Sequence, residues 1–241
     1  MQCDRKHVLL TGTSSGIGRA TMEAALAQGF HVFAGDRSNT SARGGAVPAD
    51  ETLTKIHLDI TKAEDIAAAV TMIDEHVGDV GLDALANIAG IGIPGPLEIM
   101  PMESLRASFE VDFFGQVALT QPLIPLLRKT GGRIIFIGSV VDRTTIPFFG
   151  ALASSKSAIA AVSGTLRQEL APWGIDVVLV EPGFISTGAD KATKARMDKL
   201  IDDFSPSEEA LYGEMFRTST AKGYKTQTSG SSPDGVADVI L

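Results

Sequence analysis

Six short apolar runs, each followed by small or turn-forming residues and separated by longer helix-like stretches, constrain this chain more than any single residue does. They fall at 7–10, 31–35, 55–58, 84–88, 133–138 and 175–180, with helical stretches expected at 18–28, 63–76, 102–128 and 154–170. Such alternation predicts an α/β fold, a doubly wound parallel sheet covered by helices on both faces. In the first helix the small residues Ala20, Ala24, Ala25 and Ala27 allow close approach to a sheet, and Gly29 reads as the carboxyl cap.

Directly after the first strand comes TGTSSGIG, residues 11–18, with Gly12, Gly16 and Gly18 where a strand must turn sharply into a helix. Glycine permits positive φ and leaves room for a pyrophosphate to approach the backbone N–H groups at a helix start. A structural turn uses the same residues. The position between a strand and an Ala-rich helix favours nucleotide binding in a Rossmann-type three-layer αβα sandwich.

The remaining arithmetic excludes other classes. The 241 residues carry 29 acidic and 21 basic side chains, a formal charge of −8, so the basic footprint that nucleic acid or an anionic membrane attracts is missing. Charges at Asp4, Arg5 and Lys6 leave no signal-peptide core, and the weakly charged stretch 80–102 is broken by glycines and prolines, so no membrane span is expected. A single cysteine, Cys3, suits a reducing compartment, with the cytoplasm as default. No metal site is expected: the pairs Asp202/Asp203 and Glu208/Glu209 read as solvated helix faces.

The turn's TGxxxGxG spacing resembles that of the short-chain dehydrogenase/reductase family, and further matches follow in the family's order. NIAG at 87–90 is similar to its NNAG motif, Ser139 follows the fifth strand, Lys156 opens a helix, and PGFIST occupies 182–187 after the sixth strand. The resemblance covers roughly residues 6–187. It implies a nicotinamide nucleotide held by Gly12, Ser14, Ser15, Gly16, Ile17, Gly18, Asp36, Arg37, Asp59, Ile60, Asn87, Ala89, Gly90, Lys156, Pro182, Gly183, Ile185 and Thr187. Asp36, ending the second strand, is placed to accept hydrogen bonds from both ribose hydroxyls and to repel a 2′-phosphate, which favours NAD over NADP. Arg37 could instead clamp that phosphate, although Ser15 stands where NADP-using relatives often carry a base. Asp59 and Ile60 resemble the adenine contact; Asp59 or Thr61 could equally cap the next helix.

The implied chemistry is oxidation of an alcohol or reduction of a carbonyl, which needs a proton-exchanging group beside the hydride carbon. In the family a tyrosine serves, one helical turn before a lysine (YxxxK), with a serine and an asparagine completing the hydrogen-bond system. Here Leu152 stands four residues before Lys156, and Asp112, in EVDFFG, stands where the asparagine is expected. Leucine cannot exchange a proton, and a carboxylate near Lys156 would raise the lysine pKa. Ser139 could still donate to a substrate carbonyl or simply cap the next turn, and Lys156 could still hold the nicotinamide ribose. The only tyrosines, Tyr212 and Tyr224, lie in the stretch 186–233, where contact with a rim hydrogen bond is the commoner role than catalysis.

That stretch mixes charged helical pieces with Ser, Thr and Gly, the composition of a mobile substrate lid rather than a second core, over a single domain spanning 1–241. The pattern ends in an expected helix at 234–241, without the final strand this architecture usually adds. Phe148, Phe149, Leu152 and Phe184 suggest an apolar alcohol or ketone, and the helix faces at 102–127 and 154–170 suggest a homodimer or homotetramer. The competing readings are a catalytically silent nucleotide-binding protein and an altered copy of a working dehydrogenase.

Overall fold

A computed structural model describes residues 5–38, 52–187 and 189–241, with the backbone alone for 189–192. Cys3 and Asp4 lie outside the described residues. Six parallel strands form one sheet: β1 (His7–Thr11), β2 (His31–Asp36), β3 (Leu53–His57), β4 (Ala84–Asn87), β5 (Arg133–Ile137) and β6 (Asp176–Val180). Their order, β3-β2-β1-β4-β5-β6, reverses direction between β1 and β4. That reversal opens a crevice at the carboxyl ends of the strands, where α/β sheets bind ligands.

The period of two in the strands sorts the core into two layers. Leu9, Phe33, Leu85, Ile134 and Phe136 point to one face, packing with Leu119, Leu123, Leu127 and Ile159. Val8, Leu10, Val32, Ala86 and Ile135 point to the other, where Ala25, Val236 and Ile240 cover them. The first face is covered by α2 (Ala63–Val77), α4 (Gln116–Thr130) and α5 (Gly150–Leu170), the second by α1 (Gly16–Ala27) and α9 (Pro233–Ile240). Each of the large side chains here that loses all exposure contributes about 1.5–3 kcal/mol.

Two expected helices change shape. The stretch 102–128 divides into α3 (Met102–Phe109), a π-helical turn at Glu110–Gly115 and α4. A Cβ on Gly115 would lie 2.7 Å from the Ile60 carbonyl oxygen, so glycine lets the wide turn press against that loop. The helix expected from 154 starts at Gly150, which brings Leu152 into its first turn. After β6 come α6 (Ala189–Asp202), the short α7 (Pro206–Glu208), a second π turn at Glu209–Gly213 and α8 (Glu214–Thr228). This region was expected to lack a core, yet Phe148, Met197 and Phe216 form a small buried cluster beneath it. Apolar residues spaced among charges hid that cluster from a reading by composition.

Candidate active site

The turn after β1 forms as its glycines require. Gly12 and Gly16 have φ of 71° and 53°, and a Cβ on Gly18 would lie only 2.1 Å from the Gly12 carbonyl oxygen. No side chain fits there, so α1 starts directly against the turn with its first N–H groups facing the crevice. A cavity of about 280 Å³ opens at this point, walled by Gly12, Ser14, Ser15, Gly16, Ile17, Gly18, Asp36, Arg37, Asp59, Ile60, Ala89, Gly90 and Thr187 among others.

Asp36 is nearly buried. Its carboxylate accepts the Ser14 N–H at 3.1 Å and the Ser38 N–H and hydroxyl at 2.8 and 2.6 Å. Burial alone would raise its pKa, but these donors outweigh burial and hold it below the ordinary value. A carboxylate offers roughly four acceptor positions. Three are filled by these local donors, which leaves about one open toward the cavity. Asp59 accepts the Thr61 N–H and hydroxyl at 3.0 and 2.7 Å. It therefore closes a local turn instead of capping α2, whose cap position is Lys62. Its pKa is also lowered: burial opposes the shift, while the Thr61 donors and the charges of Arg37 and Lys62 favour it.

Asn87 departs from expectation. Fully buried, it points away from the cavity with Leu85, donates to the Thr120 hydroxyl at 3.1 Å, and is absent from the cavity wall. The strand alternation that aims Ala86 at one face sends Asn87 to the other. Thr11, which sequence reasoning missed, ties the switch point together by accepting the N–H groups of Ile88 and Ala89 at 2.9 and 3.0 Å. Gln116, also missed, donates to the Ala89 carbonyl at 3.0 Å. Neither hydroxyl nor amide stands out in a sequence, because burial at a strand end or a helix start has no compositional signature.

Beside the first cavity lies a second of about 270 Å³, walled by Ser139, Val140, Val141, Ile146, Pro147, Phe149, Leu152, Gly183, Phe184, Thr193, Met197, Ser219, Tyr224 and Gln227, with Gly92 next to the first cavity's Gly90 and Ile91. The loop 182–187 runs between the two: Gly183 faces the apolar cavity, Thr187 the polar one, Ile185 is buried, and Pro182 accepts the Val140 N–H at 3.1 Å without lining either. Phe148, expected to line the apolar cavity, instead turns its ring onto Phe216, at a centroid distance of 5.0 Å. Ser139 caps a short 3₁₀ turn, its Oγ accepting the Val141 N–H at 3.3 Å and its own N–H donating to Asp142 at 3.4 Å.

Leu152 and Lys156 stand one helical turn apart on α5, but only Leu152 reaches the cavity. The Lys156 ammonium lies buried, donating to the Ile137 carbonyl at 2.7 Å and sitting 4.0 Å from the Asp112 carboxylate. It lines neither cavity, contrary to the expected ribose contact. The π turn aims Asp112 at this lysine, where its carboxylate also accepts from the Ile91 N–H at 2.9 Å and from Ser108 and Ser155 at 3.2 Å each. Burial dominates both groups: it pushes Asp112 up despite Lys156 and the hydrogen bonds, and Lys156 down despite Asp112. The expected rise in the lysine pKa is thus reversed, because desolvation exceeds attraction. Gly90 forms the thin partition, since a Cβ there would lie 2.9 Å from Asp112 Oδ1 and 3.5 Å from Lys156 Nζ.

The family model for short chain dehydrogenases matches residues 6–198, spanning the glycine turn, the sheet and α5. The chain belongs to the short-chain dehydrogenase/reductase family. It is 34% identical over 237 residues to estradiol 17-beta-dehydrogenase 2 of Rattus norvegicus, covering 96% of this chain and 62% of that protein's length. It is 36% identical over 216 residues to the NADPH-dependent 3-dehydrocapnine reductase of Ornithobacterium rhinotracheale, covering 88% and 74%. Its fold matches a short-chain dehydrogenase from Streptomyces avermitilis with a TM-score of 0.77 and 28% identity, over 98% of this chain and 83% of that one. The chain spans about three fifths of the length of the estradiol dehydrogenase relatives it matches. None of its described helices is long and apolar enough to cross a membrane.

Proposed function

We propose that this short-chain dehydrogenase/reductase interconverts an apolar secondary alcohol and its ketone with a nicotinamide nucleotide, using unconventional proton transfer. The observation that carries the reading is the pair of adjoining cavities, one built on the glycine turn and one walled largely by apolar side chains. A dinucleotide suits the first: no Cβ fits at Gly18, so the turn packs directly against the start of α1, and Asp36 and Asp59 supply acceptors on the cavity wall. The bound nucleotide would supply hydride chemistry, and this chain's own residues do the rest. Gly12 and Ser14–Gly18 would hold the pyrophosphate, while Asp36 orients the adenosine ribose. Ser139 would donate a hydrogen bond to the substrate oxygen, and the Phe149, Leu152 and Phe184 walls exclude water.

Asp36 supports NAD, because its anionic carboxylate disfavours a second phosphate at the ribose. Arg37 on the same wall offers the opposite chemistry, and the capnine-reductase relative carries NADPH in its name. The reading includes a lid over residues 186–233, a cytoplasmic location and a homodimer or homotetramer, the last readable by light scattering.

The decisive comparison is between the unaltered chain and Leu152→Tyr, in NADH titration and in turnover of secondary alcohols and ketones. Nucleotide affinity should be equal in both, and the added phenol should raise kcat, at most by the ~10²–10⁴-fold that a positioned general acid–base contributes. Binding in both with turnover in neither would make a silent nucleotide-binding protein the better description. Absence of nucleotide binding would remove the oxidoreductase reading for this chain.

A further inference from the structure

We propose that Tyr224 on α8 exchanges the proton of the substrate hydroxyl, doing from the covering segment what no residue of α5 can do here; this rests on the oxidoreductase reading above. Among the described walls of the apolar cavity, Tyr224 is the only side chain that titrates in water. The others are apolar, the neutral amide of Gln227, or the aliphatic hydroxyls of Ser139, Thr193 and Ser219, which are far weaker acids than a phenol. Lys156 is sealed behind the Ile137 carbonyl and Asp112, and Asp142 sits behind the Ser139 backbone. The second tyrosine is committed elsewhere: Tyr212 donates to Glu98 and lines neither cavity.

The backbone around Tyr224 is held in register with the rest of the site. Gln227, three residues later on the same helix, donates to the Ile185 carbonyl at 3.0 Å. Beyond the helix end, Ser231 donates to the Phe184 carbonyl and Ser186 donates to the Ser231 carbonyl, both at 3.0 Å. These bonds tie the carboxyl half of α8 to the loop whose Gly183 and Phe184 wall the cavity. Ser219, Gly223, Tyr224 and Gln227 then share one inward face, as helical spacing allows. Lys194 braces the phenol ring from 5.9 Å, by a cation–π contact.

In the oxidising direction the carbinol C–H bond breaks, and the hydrogen leaves with its electron pair as hydride to an oxidised nicotinamide nucleotide. The O–H proton passes to the Tyr224 phenolic oxygen, whose own proton leaves to solvent, and the carbon–oxygen bond becomes a carbonyl. Reduction of a ketone reverses both transfers. Ser139 polarises the substrate oxygen without gaining or losing a proton.

Tyr224→Phe tests this in the full chain, with NADH titration reporting that the variant is folded. Turnover should fall by ~10²–10⁴ in kcat, with KM and NADH affinity changed little, and the pH dependence of kcat that reflects phenol ionisation should vanish. Adding Leu152→Tyr to that variant should restore turnover from the α5 side, and Tyr212→Phe should leave it intact. A Tyr224→Phe chain with unaltered kcat and pH profile overturns the assignment, as does a rise in KM alone, which marks a mere wall contact. An unaltered chain that binds nucleotide but turns over no alcohol or ketone also overturns it, leaving the nucleotide site standing. A chain that binds no nucleotide fails one step earlier, at the oxidoreductase reading itself.

Discussion

The polar and apolar cavities meet at residues 90–92, yet they are made by opposite means. The first is shaped by backbone: its decisive positions are glycines whose neighbours leave no space for a side chain, and its polar contacts are N–H groups and two carboxylates held by local donors. The second is shaped by side chains drawn from the 139–149 loop, α5, the loop after β6, α6 and α8, so its chemistry depends on residue identity. A backbone site tolerates extensive sequence change provided its glycines stay, whereas one substitution in a side-chain site can remove a chemical step. Leu152 belongs to the second kind of site, beside a turn that keeps all three of its glycines.

The largest test of that contrast sets one glycine from each cavity against the other. In Gly18→Ala the new Cβ meets the Gly12 carbonyl oxygen, so the turn must move. Overpacking of this kind costs about 1–3 kcal/mol, and NADH affinity should fall by roughly 10–100-fold. Gly183→Ala in the apolar cavity has nothing within 4 Å of its added methyl and should stay within about 0.5 kcal/mol of the unaltered chain. NADH titration and thermal unfolding of both variants check this. Equal NADH affinity in the two would show that the glycine turn does not build the first cavity.

Legibility in the sequence follows the same division. Strands and glycine turns announce themselves through spacing, and all six described strands fall within two residues of the apolar runs that foretold them. Ala89 and Gly90 line the polar cavity just after the end of β4, and Thr187 lines it from the loop after β6. What stays hidden depends on direction and depth. Asn87 turns away because strand side chains alternate, a fact visible only once the register against β1 and β5 is known. Lys156 is sealed by its bond to the Ile137 carbonyl and faces Asp112, which sits in a π turn that no helical periodicity discloses. Phe148 leaves the cavity because its backbone takes a left-handed φ of 70°, unusual for a bulky residue, and its ring joins the cluster beneath α8. Tyr224 is far from Ser139 in sequence, and only the docking of α8 brings both to one cavity.

A middle-sized effect sharpens the nucleotide side. Asp36→Ala removes the anion and frees the Ser14 and Ser38 donors, while Arg37 stays on the wall. Hydrogen bonds to charged groups contribute about 1.5–3 kcal/mol, so the ratio of NADPH to NADH affinity should rise roughly 10–100-fold. Parallel titrations with both nucleotides read the ratio directly. An unchanged ratio would take nucleotide choice away from Asp36 and leave Arg37 as the determinant.

The smallest effect separates the open cavities from the sealed pair behind Gly90. Asp112 has its pKa raised by burial, so between the ordinary carboxylate value of 3.8 and its folded value the folded chain keeps a proton that the unfolded chain has lost. Unfolding free energy therefore falls as pH rises through that window, by at most about 1.4 kcal/mol per pH unit for the one group. Asp112→Asn has no such proton, and its acid-side slope should be shallower. Lys156 works in the other sense: burial lowers its pKa from 10.5, so between the folded value and 10.5 the unfolded chain holds the extra proton, and stability rises with pH. Removing the Asp112 carboxylate removes the attraction that partly offsets this burial and extends the rising limb to lower pH. Urea unfolding from pH 4 to 11 reads both limbs. Superimposable profiles for the two chains would mean that the pair is solvated in solution, and Gly90 would then separate two wet compartments instead of a wet one from a dry one.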